Sequence, residues 1–466
     1  MAKATSVWFC SNCGTESAKW MGRCPACGEW NTMVEEPKTS KKSSLSREKS
    51  FLGKGESSAV KLNEISLNGE SRISICNKEI ERILGGGIVP GSLILLGGEP
   101  GIGKSTLSLQ IPIMSKDLKT LYVSGEESPK QIKLRALRLM EGMHDSGVTG
   151  DNCIILGETL IENIIAKAKE IRPELMVVDS IQTIYTDTID SSASSVSQVR
   201  ECASLLLRFA KESNTPIIII GHITKDGSIA GPKVLEHIVD VVLQFEGDSR
   251  QSHRILRSIK NRFGSTAEIA IFEMTGRGLR EVANPSEILT PVHDESLSGI
   301  AVGSMLDGTR PFLIEIQSLV STAAYGMPQR SATGFDARRL NMLLAVLEKR
   351  AGFKLSAKDV FLNIAGGLKV SDPACDLAVA AAILSSNFDE PISTKHCFAA
   401  EVGLSGEIRP VGQIERRISE AARLGYEKIF ISAYNLSSDL RKKWMESGLE
   451  IIEIKDIAAL CRNLFK

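Results

Sequence analysis

The stretch GSLILLGGEPGIGKST, residues 91–106, decides the fold class of this chain. An apolar run leads directly into the spacing Gly98-x-x-x-x-Gly103-Lys104-Ser105, and a helical pattern follows. The glycines let backbone N–H groups curl around phosphate oxygens, Lys104 brings a cation to the β and γ phosphates, and Ser105 is placed to bind Mg²⁺. The spacing therefore predicts a strand–loop–helix site for ATP, with these binding residues: Gly98, Glu99, Pro100, Gly101, Ile102, Gly103, Lys104, Ser105 and Thr106.

Short apolar runs alternate with amphipathic stretches between about residues 62 and 290. The runs SLILLG, LYVSG, CIILG, LMVVDS and PIIIIGH are typical of buried parallel strands, and TLIENIIAKAKEIR and SVSQVRECASLLLRFAKES are typical of the helices between them. VVLQFEG, RILRSIKN and AEIAIFEM then follow closely without long helices. We expect an α/β domain with a doubly wound sheet that finishes in antiparallel strands.

Acidic residues at the ends of two predicted strands are the candidates for metal binding and catalysis. Asp179 ends LMVVD and is the natural Walker B carboxylate for the Mg²⁺ shell, although an aspartate there also caps turns. Glu126 follows LYVSG and is the predicted base that polarises the attacking water, with Glu127 as the alternative. His222 ends PIIIIGH and is either a γ-phosphate sensor or a structural histidine.

The first 33 residues contain Cys10-x₂-Cys13-x₁₀-Cys24-x₂-Cys27 and little continuous apolar sequence. Two Cys-x-x-Cys turns place four thiolates in a tetrahedron, the geometry of structural zinc, whereas redox pairs favour a thioredoxin-like context that is missing. Three tryptophans in this module either dock a partner or cover the metal. The other six cysteines lie in apolar contexts and are predicted core residues: 76, 153, 202, 375, 397 and 461.

The balanced composition excludes a strong overall electrostatic field, but it does not exclude local contacts with nucleic acid. The 466 residues carry 56 Lys plus Arg and 56 Asp plus Glu, so any nucleic-acid binding must come from patches or an assembled ring. Neither a secretory signal nor a membrane span is expected, which predicts a cytoplasmic protein. Residues 34–61 are predicted to be a flexible linker, whose basic segment 37–54 is either solvated or in contact with nucleic acid.

A third unit is expected from residue 295 to 466. PFLIEIQSLV and DVFLNIAGG are predicted strands, and DLAVAAAILSS and IERRISEAARLG are predicted helices. The mixture predicts an α+β domain with a core of its own.

Together these motifs resemble the bacterial RadA (Sms) family of DNA-repair ATPases over essentially the whole chain. The resemblance rests on the four-Cys motif, EIERILGGGIVPGSLILLGGEPGIGKST, KNRFG at residues 260–264, GGLKVSDPACDLAVAAAI and GEIRPVGQIERRISEA. It implies a RecA-like core, similar to DnaB-type helicases, between a zinc ribbon and a Lon-protease-like domain. It further implies a DNA-dependent ATPase that binds single-stranded and branched DNA and promotes branch migration with the RecA recombinase, as a homo-oligomer that is a hexameric ring.

The resemblance to Lon-type peptidases does not extend to their chemistry. Ala374 stands in the slot of the nucleophilic serine, and Glu415 stands in the slot of its partner lysine. Without a nucleophile and its base there is no acyl-enzyme route. We expect this domain to be an inactive platform for assembly and binding.

The pentapeptide KNRFG places Lys260 and Arg262 on one side of a late strand. The resemblance implies that basic residues here complete the ATP site of a neighbouring subunit by stabilising charge on the γ-phosphate. Contact with DNA is the rival role. Two other functions stay open: a nucleotide-switched scaffold ATPase that docks partner proteins and, disfavoured by Ala374 and Glu415, an ATP-dependent protease.

Overall fold

The computed structural model describes residues 6–10, 15–26, 28–37, 72–141, 149–222, 233–246, 253–282, 284, 286, 289–290, 297–323, 327–436 and 448–465. Two compact units divide the chain, Met1–Val282 and Ala283–Lys466. Among the described residues, no helix combines the length and the apolar composition needed to cross a bilayer.

The N-terminal module is a small antiparallel sheet of three strands in the order β2–β1–β3, formed by β1 (Ser6–Cys10), β2 (Glu16–Ser17) and β3 (Met33–Pro37). Its buried cluster consists of Cys10, Cys24 and Met33, with Trp8 packed against it. An apolar cluster of this size is too small to stabilise a fold alone, and natural mini-domains of this kind use a metal instead.

The first unit is built on a nine-stranded sheet. Its strands are β4 (Leu93–Gly98), β5 (Thr120–Ser124), β6 (Cys153–Gly157), β7 (Leu175–Asp179), β8 (Ile217–His222), β9 (Val241–Glu246), β10 (His253–Asn261), β11 (Ile269–Thr275) and β12 (Gly278–Glu281). They lie in the order β12–β11–β10–β9–β4–β8–β7–β5–β6. The six strands from β9 to β6 are parallel, and β9 to β12 are antiparallel neighbours, as the sequence predicts.

Helices cover both faces of this sheet. They are α1 (Lys78–Ile83), α2 (Lys104–Met114), α3 (Pro129–Met140), α4 (Ile161–Ile171), α5 (Val196–Ser213) and α6 (Lys233–Ile238). One buried cluster contains apolar residues of α1, α2 and α3, and a second contains those of α4 and α5. A parallel sheet needs such cover because both of its faces are apolar. The α/β prediction for this part of the chain is confirmed.

The cysteine predictions hold only in part. Cys202, Cys375 and Cys397 are buried, whereas Cys76 is exposed. Cys76 lies between Ile75 and Asn77, which are both buried just before α1 begins, and its φ angle of 53° marks a sharp bend of the chain at which its side chain faces solvent. Its apolar neighbours in the sequence therefore gave the wrong expectation.

The second unit is α+β, as predicted. Its strands are β13 (Ile300–Asp307), β14 (Arg310–Thr322), β15 (Arg330–Thr333), β16 (Lys358–Ile364), β17 (His396–Ala399), β18 (Glu401–Val402), β19 (Ile408–Arg409), β20 (Lys428–Ser432) and β21 (Glu450–Ile454). Seven form a mixed sheet, β15–β16–β14–β13–β17–β20–β21, and β18 pairs with β19. The helices are α7 (Ala337–Ala351), α8 (Asp376–Phe388), α9 (Ile414–Arg423) and α10 (Ile457–Leu464).

Candidate nucleotide-binding and metal-binding sites

Four neighbouring parallel strands end side by side and bring the predicted site residues to one edge of the sheet. β4 ends at Gly98, which pairs with His222 at the end of β8. β7 ends at Asp179, which pairs with Ser124 at the end of β5. Ligands of open parallel sheets bind outside the carboxyl ends of the strands. This edge is therefore the candidate site of the first unit.

The loop between β4 and α2 has the backbone that phosphate binding needs. Gly101 and Gly103 have φ angles of 76° and 119°, which favour glycine. Gly103 is the N-cap of α2, and within the described part of the chain no side chain caps the first N–H groups of this helix, where an anion is stabilised. The remaining predicted binding residues follow the same turn, with Glu99 and Pro100 exposed, Ile102 buried, and Ser105 and Thr106 half-buried.

Lys104 is buried and folds back over its own loop. Its Nζ donates hydrogen bonds of 2.8 Å to the carbonyl oxygens of Gly98 and Glu99. Burial lowers the pKa of Lys104 to about 8, and the nearby carboxylates of Asp179, Glu126 and Glu99 oppose this shift. The ammonium group is thus held at the mouth of the loop, in the field of the two predicted acidic residues.

Asp179 is buried at the end of β7 and is held by a residue that the sequence reasoning missed. The hydroxyl of Tyr122, in the adjacent strand β5, donates a hydrogen bond of 2.7 Å to Asp179 Oδ2. Burial raises the pKa of Tyr122 well above its ordinary value, so this hydroxyl stays a donor. The only sequence signal was a tyrosine in the otherwise apolar run LYVSG, which is also typical of a core residue.

The two neighbouring glutamates have different surroundings. Glu126 accepts a hydrogen bond from Ser180 Oγ, and its Oε1 lies 3.4 Å from His222 Nε2. Glu127 instead forms an ion pair with Arg135, in the second turn of α3. Glu126 is thus next to the end of β7 with its side chain 41% exposed, which leaves it accessible to water.

His222 lies between the P-loop strand and the Asp179 strand because β8 separates β4 from β7. Its Nε2 faces Glu126, whereas its Nδ1 is buried and has no hydrogen-bond partner among the residues that the structure describes. A buried ring nitrogen without a partner is costly, so the imidazole is not simply a satisfied structural group. Residues 223–232, which follow His222 in the chain, lie outside the described residues.

Lys260 and Arg262 lie away from the P-loop of their own chain. The register pairs Lys260 with Val242 of β9, and Val242 with Leu95 of β4. The P-loop begins beyond Gly98, so roughly 10 Å of strand and one intervening strand separate Lys260 from it. Arg262 is farther still, because it follows the end of β10.

Both cations contact the C-terminal end of α6 or the short segment that joins it to β9. Lys260 Nζ donates to the carbonyl oxygens of Glu236 and Val239 at 2.6 and 2.7 Å. Arg262 Nη1 lies 3.3 Å from Oδ1 of the buried Asp240, and its side chain is 57% exposed. Of the two, Arg262 is therefore the more accessible, and Lys260 caps the end of the helix that follows the loop 223–232.

The described part of the N-terminal motif places two of the four predicted zinc ligands in one buried cluster. Cys10 and Cys24 are buried in the same cluster. The N–H of Cys10 donates to the carbonyl oxygen of Thr15, and the N–H of Cys24 donates to that of Glu29. Each Cys-x-x-Cys turn is thus closed by the same hydrogen bond, and such matched turns fit a tetrahedral zinc. Cys13 and Cys27 lie outside the described residues.

In the second unit, an ion pair lies beside Ala374, which stands in the slot of the Lon-type serine nucleophile. Ala374 is fully buried, and its N–H donates to Asp372. Arg417, two residues after Glu415 in α9, forms a salt bridge of 2.7 Å with Asp372. A guanidinium group is not deprotonated in proteins, so it does not replace the missing lysine base.

Three family models match different parts of the chain. The model described as rubredoxin metal binding domain matches residues 8–35, the AAA domain matches residues 74–228, and the subunit ChlI of Mg-chelatase matches residues 317–435. The first match covers the four cysteines, and the second covers the P-loop, Glu126 and Asp179. The chain thus has a metal-binding module and an ATPase domain, as predicted.

Curated relatives match along almost the whole length. DNA repair protein RadA of Listeria monocytogenes is 50% identical over 93% of both chains, that of Bacillus subtilis is 47% identical over 99% of both, and that of Streptococcus pyogenes is 43% identical over 100% of both. The crystal structure of the RadB recombinase aligns with 45% of this chain and 99% of its own, at 24% identity and a TM-score of 0.36. The chain belongs to the DNA repair protein RadA family.

Proposed function

We propose that this chain is a DNA-dependent ATP hydrolase of recombinational DNA repair, which binds single-stranded DNA and promotes branch migration of recombination intermediates with RecA. The observation that carries the ATPase part is the meeting of Lys104, Asp179 and Glu126 at one edge of the sheet. The DNA-repair part is supported by the relatives, which bear that name over nearly the full length of the chain.

The residues at this edge of the sheet have different roles in phosphoryl transfer. The N-terminal N–H groups of α2 and the Lys104 ammonium bind the phosphates, and Ser105 and Asp179 hold Mg²⁺. When bound, Mg²⁺ neutralises charge on the β and γ phosphates. Tyr122 fixes the Asp179 carboxylate, and Glu126 orients the attacking water and holds its proton.

The site is completed by a neighbouring copy of the chain. Lys260 and Arg262 lie away from their own P-loop, so their contribution to ATP hydrolysis requires a ring in which each subunit offers these cations to the next. A heterologous interface forms a ring when its rotation closes and a filament when it does not; we propose the ring, with six subunits. Arg262 is the first candidate for the cation that reaches the γ-phosphate of the neighbouring subunit, which we call the arginine finger, because its side chain is exposed.

We assign four parts to the chain, with the boundaries that the sequence predicts: a zinc module at residues 1–33, a linker at 34–61, the ATPase domain at 62–290 and a Lon-protease-like domain at 295–466. Strand β3 extends the sheet of the zinc module to Pro37, and the first compact unit ends at Val282, so the linker begins after β3 and the ATPase domain ends near that valine. Zinc bound by Cys10, Cys13, Cys24 and Cys27 is structural. The last domain serves assembly and binding and is not a peptidase, since a buried Asp372–Arg417 pair lies beside Ala374.

The test is ATP turnover by the full chain with and without single-stranded DNA, over a range of salt concentrations because phosphate contacts weaken with salt. We expect DNA to raise turnover severalfold at low salt, and Lys104→Ala to abolish it. A chain that hydrolyses ATP at the same rate with and without DNA at every salt concentration is instead the nucleotide-switched scaffold.

A further inference from the structure

Two of the three tryptophans of the N-terminal module are exposed and are not part of its described buried cluster. Trp8 packs against the cluster of Cys10, Cys24 and Met33. Trp20 and Trp30 are 55% and 67% exposed. Large aromatic side chains on a module of this size cost solubility when they are exposed, and exposed aromatic groups of this kind mark binding surfaces.

The exposed rings converge on one glycine. A Cβ added to Gly22 would lie 3.6 Å from Trp20 Cη2 and 3.8 Å from Trp30 Cζ3. A single methyl group at this position would therefore contact both indole rings. Gly22 thus forms the floor of a notch between the two indoles. We call the surface made by Trp20, Gly22 and Trp30 the tryptophan notch.

Neither backbone conformation nor crowding explains a glycine at this position. Gly22 is not among the residues with a positive φ angle. The contacts that a Cβ would make are ordinary van der Waals distances, so a side chain fits there without strain. What a side chain at position 22 would do is fill the notch.

Charges beside the notch indicate the chemistry of its ligand. The Arg23 guanidinium lies 5.8 Å from the centre of the Trp30 ring, and its Nε donates to the Gly28 carbonyl oxygen at 2.7 Å. Lys19 is exposed next to Trp20. A cation that entered the notch would meet this positive charge, whereas a nucleotide brings a flat ring to the indoles and a phosphate to Arg23 and Lys19.

We propose that the tryptophan notch binds a base of single-stranded DNA by stacking. The proposal rests on the proposed DNA-binding function and adds a specific contact to it. The segment that contains the notch does not attract DNA over long range, because residues 15–37 carry only two basic residues, Lys19 and Arg23, against four acidic ones. Stacking therefore supplies most of the binding, and its contribution depends little on salt.

The experiment compares two probes on the full chain: an oligothymidine and an abasic oligomer of the same length, which keeps the phosphates but lacks the bases. We expect the wild-type chain to prefer the oligothymidine. Trp20→Ala, Trp30→Ala and Gly22→Ala each weaken its binding by about 5- to 50-fold and leave the abasic affinity unchanged. Val34→Ala, which removes an exposed apolar side chain elsewhere in the module, is the matched control.

Zinc content shows that each variant keeps its fold. Gly22→Ala is the decisive variant because it leaves both rings in place and only fills the space between them. Equal losses of affinity for both probes, or unchanged affinity in all three variants, would refute base stacking in the tryptophan notch. The proposed DNA-binding function of the chain would not be affected by that result. If the wild-type chain binds neither probe, the proposed DNA-binding function fails together with it.

Discussion

The hydroxyl of Tyr122 donates a hydrogen bond of 2.7 Å to Oδ2 of Asp179, across two neighbouring strands of the parallel sheet. Both residues are buried, so the carboxylate is fixed by one directional contact before any ligand arrives. A group that orients a metal-binding carboxylate acts on metal affinity without touching the metal.

Tyr122→Phe removes this hydroxyl and keeps the ring. We expect the Mg²⁺ concentration for half-maximal binding of a fluorescent ATP analogue to rise about tenfold, because the freed carboxylate loses its fixed orientation. Nucleotide binding without Mg²⁺ and the melting temperature should change little. Tyr185→Phe, at a half-buried tyrosine of the same unit, is the control. An unchanged Mg²⁺ titration would show that Tyr122 only packs.

The lowered pKa of Lys104 predicts a pH-dependent affinity for ATP. The free site has a pKa of about 8, and the bound phosphates stabilise the protonated form. Above pH 8 the free lysine loses its proton, so the affinity should fall by up to about tenfold per pH unit, and binding should take up one proton. Calorimetry in buffers of different ionisation enthalpy measures that proton. In Lys104→Arg the cation stays charged, so the affinity should be flat over the same range.

Glu126→Gln and Glu127→Gln separate the two candidate bases. We expect Glu126→Gln to lower kcat by about 10²- to 10⁴-fold with little change in ATP affinity, because the amide does not take the proton from water. Glu127→Gln loses only its ion pair with Arg135 and should keep most of its turnover. Single-turnover hydrolysis measures both. Equal losses in the two variants would remove the distinction that the structure makes between them.

The strands and the P-loop were predictable because their signals are local. An apolar run before Gly98-x-x-x-x-Gly103-Lys104-Ser105 contains the strand, the turn and the helix start in 16 residues, 91–106. The contact between Tyr122 and Asp179 was not predictable in this way, because it joins residues 57 positions apart. It depends on the register of two strands, and the apolar pattern of each strand alone does not specify that register.

The choice between Glu126 and Glu127 shows the same limit at shorter range. Both follow the same strand, and their order in the sequence favours neither. The distinction comes from Arg135, which α3 brings back to Glu127, and from Ser180 and His222, which two other strands bring to Glu126. Helix and strand packing thus gives the predicted base Glu126 and its alternative Glu127 different surroundings, which the sequence alone does not predict.

Arg417→Met tests the buried pair in the second unit. Asp372 would be left without its cation at a site where its side chain is 12% exposed, which typically costs about 3–5 kcal/mol in the free energy of unfolding. Thermal and denaturant unfolding measure the loss. Arg416→Ala, at the exposed neighbour in α9, should cost under about 1 kcal/mol. A small effect of Arg417→Met would mean that Asp372 is satisfied by the N–H groups of Leu306 and Ala374.

Mixing two inactive variants tests whether Arg262 acts on the ATP of a neighbouring subunit. Arg262→Ala keeps its P-loop but offers no finger, and Lys104→Ala offers the finger but lacks a working P-loop. Each alone should lose at least about 10³-fold in DNA-stimulated turnover. In randomly mixed rings at equal amounts, about a quarter of the sites combine an intact P-loop with an intact neighbour. We therefore expect turnover to return to about that fraction of the wild-type rate.

The control mixture is Lys104→Ala with Glu126→Gln. Both residues belong to the same edge of one chain's sheet, so no site in the mixed ring regains both and turnover should stay low. Native mass measurements establish that the variants share rings. If the mixture with Arg262→Ala also stays inactive in shared rings, Arg262 acts within its own chain, where it lies beyond the strand ends opposite the P-loop. Its contact with Asp240, next to the helix that follows residues 223–232, would then make DNA binding the property to measure.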